Sequence, residues 1–142
     1  MRRWLGLGIL LVATTAEAGS LTVRNSQGAA VARIDADGTV RNASGSRIGR
    51  VEDDGDERNS SGSGCGRGDS DGTLRSASGS RVGRVESDGD LRDASGSLIG
   101  RLDGCDVRNK SGSRRGQFDG CTGADRLRMA AFLIFFQPLH NQ

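Results

Sequence analysis

The sequence predicts an all-β fold: a closed radial, propeller-like array of short β-hairpin repeats with an apolar C-terminal strand packed at its centre. Three observations carry this. A unit of seventeen residues, shortening in the last two copies, recurs six times between residues 22 and 120. Glycine closes two turn motifs in nearly every copy, and the apolar residues keep the period of the unit rather than that of a helix. An open β-solenoid is the alternative architecture. The apolar C-terminal run argues against it, because one greasy segment is more easily hidden down a shared centre than along a filament.

The composition sets the limits. The chain has 142 residues with 23 Gly, one Pro, no Tyr and 27% charged residues, enough for one domain but not for a large conventional core. The regular apolar spacing argues for order over disorder. The organisation expected is a signal peptide over 1–18, a hairpin-repeat domain over 19–123 and an apolar segment over 124–142 that closes the domain. Arg2 and Arg3 give the leader a positive start, Trp4 to Val12 an apolar run, and Ala16-Glu17-Ala18 a small-x-small cleavage site, so the mature chain is expected to begin at Gly19. That run is shorter than the ~20 residues of a spanning helix. Export to the periplasm, the outer surface or the medium follows as an expectation.

The repeat units are TVRNSQGAAVARIDADG (22–38), TVRNASGSRIGRVEDDG (39–55), DERNSSGSGCGRGDSDG (56–72), TLRSASGSRVGRVESDG (73–89), DLRDASGSLIGRLDG (90–104) and CDVRNKSGSRRGQFDG (105–120). If Val40 faces Ile48, Asn42 faces Ser46 and Ala43-Ser44-Gly45 is a three-residue loop ending in Gly, the position that must be left-handed. Ile34 and Val40 likewise enclose Ala36-Asp37-Gly38. Two turn types, x-Ser-Gly and x-Asp-Gly, therefore alternate along an up-and-down meander. Val51 would point away from Ile48 in a regular strand, so a bulge is expected at Gly49, and likewise at Gly83 and Gly100.

The last units change in a consistent way. Leu102 to Val107 leaves a two-residue loop, Gly104-Cys105, suited to a type II′ turn, and Gly120-Cys121 repeats the pattern. In the third unit Glu57, Cys65 and Gly68 replace apolar residues, so that copy has less to bury. Met129 to Phe136 is too short to span a bilayer and long enough for one buried strand; a membrane-docking tail is the functional alternative. No helix of any length is expected. Single hairpins cannot bury their apolar faces, so the copies must close on one another, which also removes exposed sheet edges.

These units, the leader and the closing Ala130-Ala131-Phe132…Phe135-Phe136 segment resemble the bacterial β-flower proteins of the four-fold and five-fold kind, over nearly all of the mature chain. The resemblance implies an exported all-β protein with petals around an axis, and no established function. The six copies counted here depart from that symmetry.

Arginine is the candidate binding residue. Arg24, Arg41, Arg58, Arg75, Arg92 and Arg108 hold one repeat position without exception. In a ring they would form a circle of guanidinium groups able to fork onto phosphate or carboxylate, and hence an envelope polyanion or glycan. A second series, Arg33, Arg50, Arg67, Arg84 and Arg101, is followed two residues later by Asp or Glu, so mutual neutralisation is the simpler reading. The net charge of +2 fits that reading, and nucleic acid is not an expected partner.

Other motifs reduce to the repeat. Asp35-Ala36-Asp37-Gly38 and Asp69-Ser70-Asp71-Gly72 approach a calcium loop but lack its third acidic position and distal Glu, and no other cofactor is expected. Arg67-Gly68-Asp69 spells an adhesion tripeptide, and Asn42, Asn59 and Asn109 begin glycosylation sequons, all at template positions. Cys105 and Cys121 occupy equivalent turns and are the candidate disulfide if the tips approach to ~5.5 Å, leaving Cys65 over. No cysteine or histidine spacing fits zinc. The only histidine, His140, lies near a C-terminus expected to fray, which leaves nucleophilic catalysis without a placed base. The expected function is a non-enzymatic binding or structural module of the cell envelope or secreted space. The alternative is a hydrolase of envelope polymers working through acidic turn residues.

Overall fold

The computed structural model describes residues 19–52 and 55–141, so the leader expected over 1–18 lies outside the described residues. Twelve short strands make one closed antiparallel barrel: β1 (Leu21–Asn25), β2 (Ala30–Ile34), β3 (Thr39–Asn42), β4 (Arg47–Val51), β5 (Glu57–Asn59), β6 (Gly64–Gly68), β7 (Thr73–Ser76), β8 (Arg81–Val85), β9 (Asp90–Asp93), β10 (Leu98–Asp103), β11 (Asp106–Asn109) and β12 (Arg114–Asp119). Each strand pairs with its chain neighbours, and β1 closes the ring on β12 through Thr22 opposite Asp119 and Val23 opposite Phe118. The six hairpins are six petals, one per repeat unit, including the third. The open solenoid is thereby excluded.

The turns follow the expected chemistry. Asn42 donates to Ser46 O at 2.9 Å and Gly45, at φ +91°, donates to Asn42 O at 3.0 Å. Asp35 and Gly38 repeat the scheme at the other end, with Gly38 at φ +93°. The expected bulge exists one residue earlier than placed. Val40 pairs with Gly49 and Arg41 with Arg47, so Ile48 is the extra residue, as Val82 and Ile99 are in their hairpins. The expected pairing of Val40 with Ile48 is thus corrected. Matching one apolar residue to another misplaced the shift, because the position facing the interior across from Val40 is held by a glycine.

That glycine explains the interior. A Cβ on Gly49 would stand 2.4 Å from the Phe136 ring, on Gly66 2.6 Å from Phe135, on Gly100 2.7 Å from the His140 Cβ and on Gly116 3.1 Å from Leu139. Equivalent petals therefore leave a girdle of missing side chains into which the C-terminal segment fits. The core adds Val23, Ile34, Val40, Val51, Leu74, Leu91, Val107 and Phe118 from the strands and Met129 to Leu133 from the segment inside.

The central element is not a strand. Arg126–Phe135 forms α1, a ten-residue helix, which corrects both the expected C-terminal strand and the expectation of no helix. A lone strand on the axis of a closed barrel would have no edge to pair with, leaving its N–H and C=O groups buried and unbonded. A helix bonds its own backbone, and its ~15 Å length suits a barrel whose strands have three to six residues. Twelve strands also enclose more room than the eight whose interior side chains alone fill. Thr122 and Asp125 start the segment with a capping box around the 3-10 turn Gly123–Asp125. Gly120-Cys121 therefore does not turn a hairpin as expected; it leads off β12 into the helix.

Candidate functional site

The arginine series lies on the outer wall. Arg33 pairs across strands with Arg41, Arg50 with Arg58, Arg67 with Arg75, Arg84 with Arg92 and Arg101 with Arg108, which makes a belt of guanidinium groups around the barrel. Neighbouring cations would repel were they not interleaved with acids. Asp35 receives Arg33 and Arg41, both at 2.9 Å, and Asp69 receives Arg67 at 3.7 Å and Arg75 at 2.9 Å. Asp119 receives Arg24 at 2.6 Å, Glu86 receives Arg92 at 3.2 Å and Asp103 receives Arg108 at 3.3 Å.

The other end of each first-series fork is also used. Arg24 Nη1 donates to Gly28 O at 3.0 Å, and Arg41, Arg58, Arg75, Arg92 and Arg108 bond to Gly45, Gly62, Gly79, Gly96 and Gly112 at 2.9–3.1 Å. One arginine thus ties an x-Ser-Gly turn to the acid that begins the x-Asp-Gly turn at the opposite end. This gives the position a structural reason for invariance within the chain. Each exposed pair contributes only ~0.2–1 kcal/mol, but five petals are strapped alike, and in the third Arg58 holds the turn carbonyl.

The turn tips are occupied in the same manner. Asn42 Oδ1 accepts from Ser44 N at 3.1 Å, Ser44 Oγ at 2.8 Å and Ser46 N at 3.0 Å, and Asn59 and Asn109 do the same, so the sequon asparagines serve their own turns. Asp37 and Asp71 accept from the Thr39 and Thr73 amides at 2.9 and 3.0 Å. These bonds, with nearby arginines, hold both carboxyls below their ordinary pKa. Asp93 is lowered chiefly by the Ser95 hydroxyl and Asp119 chiefly by its hydrogen bond from Arg24. A general acid needs a shift the other way.

In the segments that approach a calcium loop, Asp35 and Asp69 face arginines. Instead Glu86, Asp88 and Asp90 bring carboxylate oxygens within 4.8 Å of one another. Asp90 is held by Arg92 at 3.7 Å and Arg101 at 3.3 Å, so two of the three acids belong to the belt. Arg67-Gly68-Asp69 runs off the end of β6, with Gly68 against Gly55, and is not a loop tip.

Cys105 and Cys121 form a disulfide with Cα atoms 5.8 Å apart, tying the β10–β11 turn to the entry of α1. Cys65 is the bulged residue of its petal, and burial, then the charge of Glu57, pushes its thiol pKa up. Inside, Arg128 and Asp125 pair at 2.7 Å with side chains 1% and 4% exposed, and Arg128 also donates to Gly19 O at 3.1 Å. Repeat spacing carries no trace of this pair; the charge of Arg128 beside an apolar run is its signal in the sequence.

His140 corrects another expectation. It does not fray but is 3% exposed, packed against Gly100, and desolvation lowers its pKa. The unfolded chain therefore protonates it more readily, so stability held above its ordinary 6.5 is lost as pH falls below that value. The four lowered aspartates add a second loss as pH falls below their ordinary 3.8. The melting temperature should drop between pH 7 and 5 in the native chain and stay level there in His140→Met; equal slopes would remove His140 as the cause.

A closed ring of hairpin petals around a central helix defines the class of protein. The 5-fold beta-flower protein family matches residues 53–137, more than half of the chain, and the chain belongs to that family. The matched stretch takes in the third to sixth petals and α1; the whole barrel has six petals. No curated protein and no solved structure was found to match.

Proposed function

We propose that the chain is a non-enzymatic, exported module of the cell envelope or secreted space, acting by binding or as a structural part. The observation that carries this is the arginine belt. Apart from Arg84, its forks are spent on the protein's own acids and turn carbonyls, which favours a rigid, largely self-neutralised wall over a polyanion site on that wall. The surfaces left for partners are the two rims. The hydrolase alternative is disfavoured because every acidic turn residue with a resolved shift is held as the carboxylate.

The test is fractionation of cells expressing the tagged chain, with the N-terminus of the product sequenced, followed by pull-down from envelope extract at low and high salt. A product beginning at Gly19 in the envelope or medium is expected. A cytoplasmic product retaining its leader would overturn the proposal. Arg41→Gln and Arg75→Gln should leave any captured partner in place; loss of capture would restore the belt as the binding face.

A further inference from the structure

The two rims differ, and the difference points to a partner. At the x-Asp-Gly rim stand exposed acids, Asp37, Asp71 and Asp88. The x-Ser-Gly rim carries exposed Arg47, Arg81, Lys110 and Arg114 and half-buried Arg115, against one acid, Asp93, whose carboxylate caps Ser95 and Ser97. Arg114 reaches back to Asp106, but among the described residues no acidic group lies in ion-pair range of Arg47, Arg81, Lys110 or Arg115. Four cations outside any ion pair therefore stand at this end, whereas the exposed Arg126 at the acidic rim is bonded to Ser87 O.

That same end is apolar at its centre. The helix is buried from Arg128 to Leu133 and emerges half-exposed at Ile134, Phe135 and Phe136, beside the girdle glycines next to this rim. Bulged Val31, Ile48, Val82 and Ile99 surround it. Leu98, 38% exposed, is the large hydrophobic residue among the described ones that stands out into solvent, and it begins β10 on this rim. An apolar disc ringed by unneutralised cations is the arrangement by which a protein sits on a lipid surface without crossing it.

We propose that the x-Ser-Gly mouth docks the protein on an anionic lipid surface, with Phe135, Phe136 and Leu98 entering the headgroup layer and Arg47, Arg81 and Lys110 facing lipid phosphates. Spanning is a different matter. The outer wall is a belt of ion pairs where a transmembrane barrel has an apolar band, and its strands have at most six residues where about 9–11 are needed. No helix among the described residues is long and apolar enough to cross. The inference rests on the envelope role proposed above and names its partner.

The test uses the purified chain with vesicles of phosphatidylcholine alone and of phosphatidylcholine mixed with phosphatidylglycerol, read by co-sedimentation at low and high salt. Binding to the mixed vesicles, weakened by salt and absent on phosphatidylcholine alone, is expected. Arg47→Gln with Arg81→Gln should weaken it about thirty-fold, at ~1 kcal/mol for each basic residue near the surface. Leu98→Ser should weaken it too, and Asp37→Asn, on the opposite rim, should not. Binding unaffected by Leu98→Ser but competed by soluble heparin would show a polyanion site instead, and no binding at low salt would overturn docking outright. Neither outcome touches the envelope location, which fractionation tests separately.

Discussion

Asp125→Ala is expected to destabilise the barrel by about 3 kcal/mol, because a buried guanidinium loses a charged hydrogen-bond partner. The substitution takes a carboxylate away from 2.7 Å of a guanidinium that is 1% exposed, and it also removes the reciprocal half of the capping box at Thr122. The charge and the cap can be separated. Asp125→Asn keeps a side-chain acceptor for the Thr122 amide but not the negative charge, so it should recover part of the loss. Urea unfolding of the two variants beside the native chain measures this; Asp125→Asn no more stable than Asp125→Ala would show that charge, not capping, sets the cost.

The second large effect separates two glycines with the same backbone. Gly45 and Gly89 have φ near +91° and +98°, but a Cβ on Gly45 meets open space whereas one on Gly89 would lie 2.0 Å from Leu102 O. Leu102 N in turn donates to Gly89 O at 2.8 Å, so the two petals are in direct backbone contact there. Gly45→Ala should cost about 1–2 kcal/mol, the left-handed strain alone. Gly89→Ala adds overpacking against backbone that cannot turn aside, for about 2–5 kcal/mol. Equal losses in thermal melts would mean that the x-Asp-Gly rim yields as freely as the x-Ser-Gly rim.

Much of this was legible in the residues. The third-position glycines of Ala43-Ser44-Gly45 and Ala36-Asp37-Gly38 announced both turns, because few other residues hold φ above zero cheaply. The closed ring followed from hairpins too small to stand alone. What misled was apolar matching. Ile48 looked like the partner of Val40, yet the interior position belongs to Gly49, whose use is to make room for Phe136. That use is invisible until the occupant is known to be there.

The helix was missed for a related reason. Met129 to Phe136 has the length of a strand, and apolar runs carry no period when every side is buried. The signals against a strand were Thr122 and Asp125 at capping-box spacing and the helix-favouring Leu127, Met129, Ala130 and Ala131. The arginine belt was half legible. Its acids were found two residues on from the second series, but the bond of each first-series arginine to a turn carbonyl four residues ahead depends on how the turn curls back.

Closure of the ring through β1 and β12 also sets a timetable. A ribosome delivers β1 first and its partner last, with Arg24 and Asp119 separated by 95 residues along the chain. Until that last strand arrives, the first has one edge open to any passing strand. The filling of the interior comes later still, since α1 follows β12. Petals can form as they emerge, but the girdle glycines enclose nothing until the final residues are threaded among them. Assembly is therefore a late, concerted event, and a chain truncated before Arg126 would be a ring with a hollow centre, the state in which neighbouring molecules would most readily exchange petals.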